Sequence, residues 1–497
     1  MTDDSTADGS KAVDETVVRR DRFSGGPARE FLSSLAGDKR IFTADLAVDR
    51  AHVVMLAEQE IISDEEAGRI LGALADVENA GHSDLSSGED VHEAIESAVI
   101  DRVGPDGGKM HTARSRNDEV AACIRYRLRG DLLEAVETTL ALRESLIETA
   151  AEHTETIMPG YTHLQPAQPI TVGHYLMSYA STVSRDTARL LAAYDRTNES
   201  PLGGAAFAGT PFDIDRERTA ELLGFDGVVD NSMDASSARD FLAEATAALA
   251  IHATTLSGLA EDIIVFANKG YVDLSDDYSS TSSIMPQKKN PDTLELTRAV
   301  AGDAIGELTG LLSTLKGLPR AYNRDLQRAH PHTFRAVDAA VEASAVAAGA
   351  VSTAEWNGEL LAEEAGDGFS TATGIADLLA MAGLPFRTAH EVVALAAEKA
   401  EDDGIDVSSE LLDSATEEVL DDSLFEYVEQ SAVEAALDPT QSVDSRDSQG
   451  GPAPEAVEAT IADARETLAA DSDALAERQS TLSAAEELLA EEVETYV

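Results

Sequence analysis

One segment, residues 118–157, constrains the fold of this chain more than any other. It contains no proline and a single glycine. A helix of about 40 residues extends roughly 60 Å, which is longer than an ordinary globular domain is wide. Apolar residues recur in it at intervals of four, which keeps them near one face of a helix: Val120, Ile124, Leu128, Leu132, Val136 and Leu140. The sequence therefore predicts an extended helical bundle.

Four further stretches rich in alanine and leucine also predict long helices: 171–198, 235–268, 291–316 and 334–353. Five such helices can pack closely along their length into one bundle. Pro291 suits the first turn of its helix, where its missing N–H costs nothing. Signals for strands are almost absent, so the expected fold class is mainly α.

Shorter helices are predicted on both sides of this bundle. One covers 45–59, another follows a capping box formed by Ser63 and Glu66, and a third begins near Asp90. A break rich in Ser, Gly and Pro at 442–454 precedes a final amphipathic helix. We expect four parts along the chain: a disordered acidic lead over 1–20, a small helical N-terminal domain over 21–110, the bundle over 111–357 and a small helical C-terminal domain over 358–497.

The charge of the chain limits its partners. With 37 basic and 93 acidic residues, its formal net charge is −56. Nucleic acid and anionic membranes repel such a chain, so we expect neither as a partner. Disorder is an alternative explanation of the charge, but 43% hydrophobic content argues against it for most of the chain. We favour adaptation to high salt, where screening removes most of the self-repulsion.

Other features of the composition point to a cytoplasmic protein. A single cysteine, Cys123, excludes a disulfide framework and fits a reducing compartment. The acidic N-terminus is unlike a secretory signal, and no run of about 18 apolar residues predicts a membrane span. Without a phosphate-binding loop, an HExxH motif or Cys/His zinc spacing, we expect no metal and no nucleotide cofactor. Acidic pairs such as 363–364 are expected to be solvated surface.

Four segments are rich in Gly, Pro, His, Asn and cations, and each lies at the end of a predicted long helix or between two: 109–118, 158–169, 279–292 and 318–330. The first contains four of the scarce cations: Lys109, His111, Arg114 and Arg116. Because arginine pairs bidentately with carboxylates, this cluster suits a polyanionic substrate. Ion pairing with nearby acidic residues is the alternative for each single arginine.

The other three segments also combine polar side chains with turn residues. Segment 158–169 predicts a stiff loop holding Thr162 and His163, and imidazole suits proton transfer near neutral pH, although a lone loop histidine is more often structural. Segment 279–292 predicts a mobile Ser/Thr loop before a helix N-terminus that favours anions; a plain linker is its alternative. Segment 318–330 supplies side chains that can bind a carboxylate: Arg320, Tyr322, Arg324, Gln327 and Arg328. The alternative is that this segment only caps a surface helix.

Residues 282–291, SSIMPQKKNP, resemble the signature of the fumarase/aspartase superfamily, whose members eliminate fumarate from succinyl-type substrates. Other motifs are similar to those of the argininosuccinate lyase family: HTARSRND (111–118), PGYTHLQPAQP (159–169), LPRAYNRDLQ (318–327), RFSGG (22–26), EDVHEAIE (89–96), PLGGAAFAGTPFDIDRE (201–217) and NSMDASSARDF (231–241). The resemblance runs from about residue 22 to the final helix, in the family's order.

The resemblance implies a fold and an assembly. The fold would be mainly α, with the three domains of fumarase/aspartase-like proteins around a long central helical bundle. The protein would be a homotetramer in which three chains contribute to each active site. The implied reaction, part of arginine biosynthesis, is reversible cleavage of argininosuccinate to arginine and fumarate through an aci-carboxylate intermediate.

The resemblance also assigns roles to residues of this chain. Ser282 matches the base, His163 the group that protonates or relays protons to the leaving nitrogen, and Lys288 a catalytic cation that stabilises the dianion. Substrate-binding positions are Ser24, His92, Arg114, Asn117, Thr162, Ser283, Asn290, Tyr322, Arg324 and Gln327. The choice between Ser282 and Ser283 as the base stays open.

Four positions depart from the family's pattern. Ala113 and Thr281 stand where glycine is usual, and Arg324 and His330 stand where lysine is frequent. Exchanging lysine for arginine or histidine is not neutral at a tight site, so substrate affinity could differ.

Two other functions remain open. Another fumarate-releasing lyase, such as adenylosuccinate lyase, would use the same serine loop, but the chain shows no obvious phosphate-binding element. A catalytically silent structural homologue is the second alternative. The presence of Ser282, His163, Lys288 and Asn290 argues for activity.

The charge generates a first prediction. In dilute buffer the chain should lose its structure or its tetramer, because unscreened surface carboxylates repel one another. Circular dichroism, light scattering and fumarate release from argininosuccinate, followed from dilute buffer to molar salt, measure this loss. Full activity in dilute buffer would contradict it.

Overall fold

The computed structural model describes residues 27–85 and 88–497. The predicted lead at 1–20 and the candidate residue Ser24 lie outside these ranges. Within them the α-helices, numbered in chain order, are α1 Pro27–Leu32, α2 Phe42–Glu58, α3 Asp64–Ala80, α4 Val91–Val103, α5 Arg116–Glu152, α6 Val172–Thr197, α7 Arg216–Leu222, α8 Ser232–Ser237, α9 Asp240–Lys269, α10 Asp292–Leu315, α11 His330–Ser352, α12 Gly358–Ala365, α13 Ala372–Met381, α14 Phe386–Asp403, α15 Ser409–Leu420, α16 Gln430–Leu437, α17 Pro439–Asp444 and α18 Pro454–Glu494. The predicted fold class, mainly α, is confirmed.

Five long helices, α5, α6, α9, α10 and α11, pack against one another as the predicted bundle. The longest of them, α5, has 37 residues and begins after Ser115, whose hydroxyl caps the first turn in a capping box with Asp118. Its predicted apolar face is buried from Ile124 to Leu140. The bundle therefore follows from the periodicity of the sequence.

The segment predicted as a stiff loop is instead an antiparallel hairpin of β1 (Ile157–Thr162) and β2 (Gln165–Thr171). The prolines concealed it, because proline lacks an N–H for the ladder and is typical of irregular or edge positions. A register shift lies between Pro159 and Tyr161, at Gly160. A Cβ on Gly160 would stand 2.5 Å from the Gln168 carbonyl oxygen, so glycine is required there.

Three further strand pairs are short. They are β3 (Glu199–Ser200) with β4 (Gly227–Val228), β5 (Val272–Asp273) with β8 (Glu355–Trp356), and β6 (Ser280–Thr281) with β7 (Lys289–Asn290). The last pair closes the loop 282–288. Pro291 follows β7 and precedes the first residue of α10, so its predicted place inside the first turn is wrong by one position.

Helices α2, α3 and α4 form the N-terminal part, and the predicted Ser63–Glu66 capping box is confirmed. Helices α13 to α16 enclose a separate hydrophobic core. The final helix α18, preceded by the predicted break, leaves that core and packs along α5 and α6. The division into domains stays a prediction.

Within the described residues, α9 is long and apolar enough to cross a membrane by length and composition alone. Half of its most apolar window is buried, and α9 packs against α6, α10 and α11. A core helix of a bundle meets the same criterion, so this is a weak indication of a membrane span.

Candidate active site

The described candidate residues fall into three groups. The first lies where α5 begins beside α2 and α4, the second at the tip of the β1–β2 hairpin, and the third in the loop between β6 and β7. Each group follows or precedes a long helix of the bundle, as the sequence predicted.

A buried ion network surrounds the start of α5. Arg114 Nη2 lies 2.6 Å from Asp49 Oδ1 and 3.0 Å from Glu119 Oε1. His92 Nδ1 lies 2.7 Å from Asp45 Oδ1. All five side chains are buried. The sequence predicted that Arg114 binds substrate, with ion pairing to nearby acidic residues as the alternative. In the structure Arg114 makes such ion pairs.

Burial and charge together set the pKa values in this network. Burial alone would lower the pKa of His92, but the charges of Asp45 and Glu119 raise it to about 10. Burial raises the pKa of Glu119 to about 8 and that of Asp49 to about 7, although Arg114 opposes both shifts. His92 is therefore a cation at neutral pH.

Two sets of possible metal ligands lie in the same network: Asp45, His92 and Cys123, and Asp45, Asp49 and Glu119. Several of their ligand atoms already have partners: Cys123 Sγ donates to Asp45 Oδ1 at 3.1 Å, and Arg114 pairs with Asp49 and Glu119. Burial also raises the pKa of the Cys123 thiol, which keeps it protonated. These residues fit an ion network better than a metal centre.

A small cavity next to the network brings together several predicted residues. His92, Tyr322, Arg324, Gln327 and His330 line it. It also exposes a residue to which the sequence assigned no role, Arg239, inside the motif 231–241. The sequence could have indicated this residue because Arg239 belongs to a family motif. Only the fold shows which side chains surround it.

Several of these side chains are held by the chain itself. Arg324 pairs with Glu89, and Gln327 Nε2 donates to the Leu32 carbonyl at 3.1 Å. Asn117 Nδ2 donates to the Ala206 carbonyl at 3.1 Å. They are thus oriented before any ligand arrives.

Ala113 and Thr281, two of the departures from the family pattern, have different backbone conformations. Ala113, where glycine is usual, has φ = 65° in the left-handed region, which favours glycine. Thr281 lies in β6 and pairs with Lys289, so its extended backbone needs no glycine.

The second group lies at the turn of the hairpin. Thr162 and His163 are exposed, and the two turn residues His163 and Leu164 have φ = 56° and 58°. Such a two-residue turn normally uses Asn-Gly, because both residues must be left-handed. His163 also lines a cavity of about 760 Å³ together with Tyr161 and Lys269.

Three side chains tie this hairpin to the rest of the fold. Tyr161 Oη and Tyr271 Oη share a hydrogen bond of 2.7 Å, and Tyr271 Oη lies 2.9 Å from Glu364 Oε2, which accepts from it. Lys269 Nζ lies 5.1 and 5.5 Å from the centres of the two tyrosine rings. The expectation that 363–364 is merely solvated surface is therefore wrong for Glu364.

The third group occupies the exposed loop between β6 and β7. Ser282 Oγ accepts from the backbone N–H of Met285 at 3.1 Å and of Ile284 at 3.3 Å. N–H groups aimed at a hydroxyl oxygen stabilise the alkoxide that forms when it loses its proton. Among the described residues, Ser283 Oγ accepts no such pair of N–H groups.

The three groups do not meet in one chain. The first and second line different cavities, whereas Ser282, Lys288 and Asn290 lie on a loop at the start of α10. A single chain therefore provides the parts of a site at separate places.

The fold and these side chains define a fumarate-releasing type of lyase built on a helical bundle. A family model described as Lyase matches residues 29–306, and one described as Argininosuccinate lyase C-terminal matches 369–444. A crystal structure of EDDS lyase in complex with formate is 35% identical, with a TM-score of 0.85 over 95% of this chain and 96% of that chain. A class II fumarase from Schistosoma mansoni, 16% identical over 81% of this chain and 90% of that chain, shares the fold with a TM-score of 0.68.

Proteins named argininosuccinate lyase are similar over nearly the whole sequence. The one from Haloarcula marismortui is 66% identical over 97% of both chains, and that from Natronomonas pharaonis is 68% identical over 94% of both. The one from Methanosarcina acetivorans is 44% identical over 97% of this chain and 99% of the relative. This chain belongs to the argininosuccinate lyase family, as its motifs indicated.

The His92 network generates a prediction about pH. A folded-state pKa of about 10, against an ordinary 6.5, means that protonated His92 stabilises the fold. This stabilisation is complete below pH 6.5 and is lost as the pH rises through 10. Thermal unfolding midpoints in molar salt should fall over this range, and His92→Gln should flatten the decline and cost about 3 kcal/mol. His82→Gln, at a half-buried histidine outside the network, is the control and should keep the wild-type slope.

The tyrosine contacts generate a prediction about positioning. Tyr161→Phe removes one hydroxyl and should cost only about 1 kcal/mol of stability. It should nevertheless lower kcat roughly tenfold with little change in KM, because it misplaces the turn of His163, whose predicted role is proton transfer. Initial-rate kinetics measure both constants. Tyr179→Phe, which removes a hydroxyl bonded to Asp262 beside the same cavity, should keep the wild-type kcat; equal kcat values for all three proteins would contradict the role.

Proposed function

We propose that this protein cleaves argininosuccinate reversibly to arginine and fumarate. The observation that carries the proposal is 66% identity over 97% of both chains to a protein named argininosuccinate lyase. The serine loop and the histidine turn supply groups suited to that chemistry.

We propose that Ser282 removes a proton from the carbon next to a substrate carboxylate. The product of this step is a dianionic aci-carboxylate, so its formation needs positioned cations and hydrogen-bond donors. The N–H groups of Ile284 and Met285 favour the serine alkoxide. Closure of the exposed loop onto the substrate would exclude water and strengthen these interactions.

Lys288 and Asn290 would stabilise the dianion, since one supplies an ammonium and the other an amide close to the start of α10. The bond between carbon and the guanidinium nitrogen then breaks, and His163 delivers or relays a proton to that nitrogen. Thr162, Ser283 and the residues around His92 and Tyr322 would orient the substrate. No cofactor enters these steps.

We further propose a homotetramer whose chains share each site. Only five of the 24 residues of α10 are buried, although the helix is rich in apolar residues. Ile305 and Leu312, on one face of it, are 49% and 50% exposed. A Cβ at Gly302 or Gly306 would meet nothing within 4 Å, so another helix can approach closely there. Packing of α10 against copies of itself would cover this face.

Cellular context is part of the proposal. Cys123 is free and buried, which fits a reducing cytoplasm. The reaction would supply arginine for biosynthesis, at high salt, since the relatives at 64–68% identity come from halophilic archaea. Release of fumarate from adenylosuccinate but not from argininosuccinate would favour the other lyase, and release from neither at any salt would favour a silent homologue.

The serine assignment is tested by substitution. Ser282→Ala should lower kcat for fumarate release by about 10²–10⁴-fold, because no general base then removes the proton. Ser283→Ala is the matched control on the same loop and should lose much less. Equal losses, or a larger loss in Ser283→Ala, would overturn the assignment of Ser282.

Shared sites are tested by mixing two inactive variants. Ser282→Ala and His163→Asn, dissociated and reassembled together, should recover part of the activity, because some mixed sites take both intact groups from different chains. Each variant reassembled alone is the control and should stay inactive. No recovery from a confirmed mixed tetramer would contradict sharing between chains.

A further inference from the structure

Gly349 occupies a position where its helix would favour another residue. It lies inside α11, three positions before the end of the helix, in the alanine-rich run 345–350. A glycine in a helix interior is less favourable than an alanine, because it loses more backbone freedom on folding. The backbone at Gly349 is helical, so no left-handed turn requires glycine there. The reason for this glycine must therefore lie in what packs against it.

The side chain that packs against Gly349 is that of Tyr278. A Cβ at Gly349 would overlap Oη and Cζ of the tyrosine and would stand 2.6 Å from its Cε1. Tyr278 is half-buried, and its ring packs against the hydrophobic core that α11 shares with α5, α6 and α9. An alanine at position 349 would therefore force the ring to move.

Tyr278 lies at the base of the loop that carries Ser282. It is the last residue of a short 3₁₀ turn, Asp276–Tyr278, which contacts both α10 and α11. Strand β6 begins two residues later, and Ser282 follows that strand directly. Only four positions separate the tyrosine from the serine, so a displacement of the ring would also move Ser282.

Side-chain hydrogen bonds join the same part of the loop to α10. Thr293 Oγ1 donates to the Tyr278 carbonyl at 2.5 Å, and Ser280 Oγ donates to a carboxylate oxygen of Asp292. Asp292 and Thr293 are the first two residues of α10. The stem of the loop, which we define as residues 278–281 and 289–290, is therefore held by two helices of the bundle.

The tip of the loop, residues 283–288, is exposed throughout. Even its apolar side chains reach solvent, since Ile284 is 84% and Met285 is 42% exposed. Two backbone hydrogen bonds lie within the loop: the Ser282 N–H donates to the Lys288 carbonyl at 3.1 Å, and the Lys288 N–H donates to the Met285 carbonyl at 3.0 Å. A fixed stem with an exposed tip allows the loop to close while the serine keeps its place.

Ion pairs at the stem are a weaker restraint. Lys289 Nζ lies 3.2 Å from Asp273 Oδ1 and 3.2 Å from Asp276 Oδ1. Both carboxylates are exposed, and exposed ion pairs contribute little to stability and are screened by salt. At the high salt proposed for this protein, the packing of Tyr278 against Gly349 is the restraint that salt does not weaken.

We propose that Tyr278 is a positioning residue for the serine loop. Its ring, packed against Gly349, fixes the stem so that Ser282 keeps its place when the tip closes onto the substrate. Tyr278 acts through the backbone of the loop and does not touch the reacting atoms. The kinetic consequence rests on the proposed role of Ser282 as the base, whereas the restraint on the loop does not.

Three substitutions test the contact in molar salt. Tyr278→Ala and Gly349→Ala should each lower kcat about 10- to 100-fold with little change in KM, because a base displaced by about 1 Å reacts far more slowly. Tyr278→Phe keeps the ring and should keep the wild-type kcat. Gly72→Ala in α3, where a Cβ meets nothing within 4 Å, is the matched control and should also keep it. A wild-type kcat in Gly349→Ala would overturn the role.

A double variant shows whether the two residues act through one contact. Because each single change already disturbs that contact, Tyr278→Ala combined with Gly349→Ala should have the kcat of Tyr278→Ala alone. Independent structural effects would instead multiply the two losses, and that result would contradict the proposal.

Hydrogen exchange followed by mass spectrometry gives a readout that does not depend on activity. The N–H groups of residues 279–290 should exchange faster in Tyr278→Ala and Gly349→Ala than in the wild type and Tyr278→Phe, whereas those of α9 should not change. Unchanged exchange in the stem, or faster exchange throughout the bundle, would overturn the proposal. If the wild type releases no fumarate, the proposed lyase function fails, but the exchange comparison still decides whether Tyr278 holds the loop.

Discussion

The contact between Arg114 and its two carboxylates is the interaction on which the first part of the candidate site depends. Arg114 joins Asp49 of α2 to Glu119 of α5, and the pair formed by His92 and Asp45 brings in α4. Desolvating so many charges is costly, and such a network stabilises a fold only when every member is present. Its main effect is therefore geometric: it fixes where the longest helix of the bundle, α5, begins and which way Asn117 faces.

Surrounding contacts also hold the strained turns at the ends of the bundle helices. Of the eight non-glycine residues with positive φ in the described part of the chain, four lie in three of the polar segments: Ala113, His163, Leu164 and Ala321. A left-handed backbone costs an L-residue of this kind about 1–2 kcal/mol, so it persists only where the surroundings determine it. At His163 the surroundings are the strand pairing and the hydroxyl of Tyr161, whereas at Ala113 they are the ion network. Rigid helices thus carry turns of fixed shape, and these turns lie in the segments that hold the candidate site residues.

The sequence predicted features that depend on local pattern, such as the long helix, which runs from Arg116 to Glu152 instead of over 118–157. It missed the hairpin, although the paired residues lie at most 14 positions apart, because the prolines in both strands conceal the strand pattern. It could not decide between substrate binding and ion pairing for Arg114, since Asp49 lies 65 positions away in the chain. Arg239 belongs to a family motif, but only the packing of the fold shows that it is buried. In the proposed assembly the groups of one active site come from several chains, and the sequence of one chain does not show which groups meet.

The distribution of cations explains how so acidic a chain keeps a defined interior. Five arginines and no lysine are buried among the described residues: Arg114, Arg125, Arg129, Arg143 and Arg239. Arg129 donates to the carbonyls of Leu223 and Gly224 and to Asn198, a set of acceptors that a single ammonium could not span. These interior contacts are shielded from bulk ions and change little with salt, whereas exposed carboxylates depend on screening. Salt sensitivity should therefore begin at the surface, where acidic helices such as α18 face solvent. Arg125 and Arg129 pair with no carboxylate among the described residues and instead donate to carbonyl and amide oxygens, so these interior cations are held by neutral acceptors.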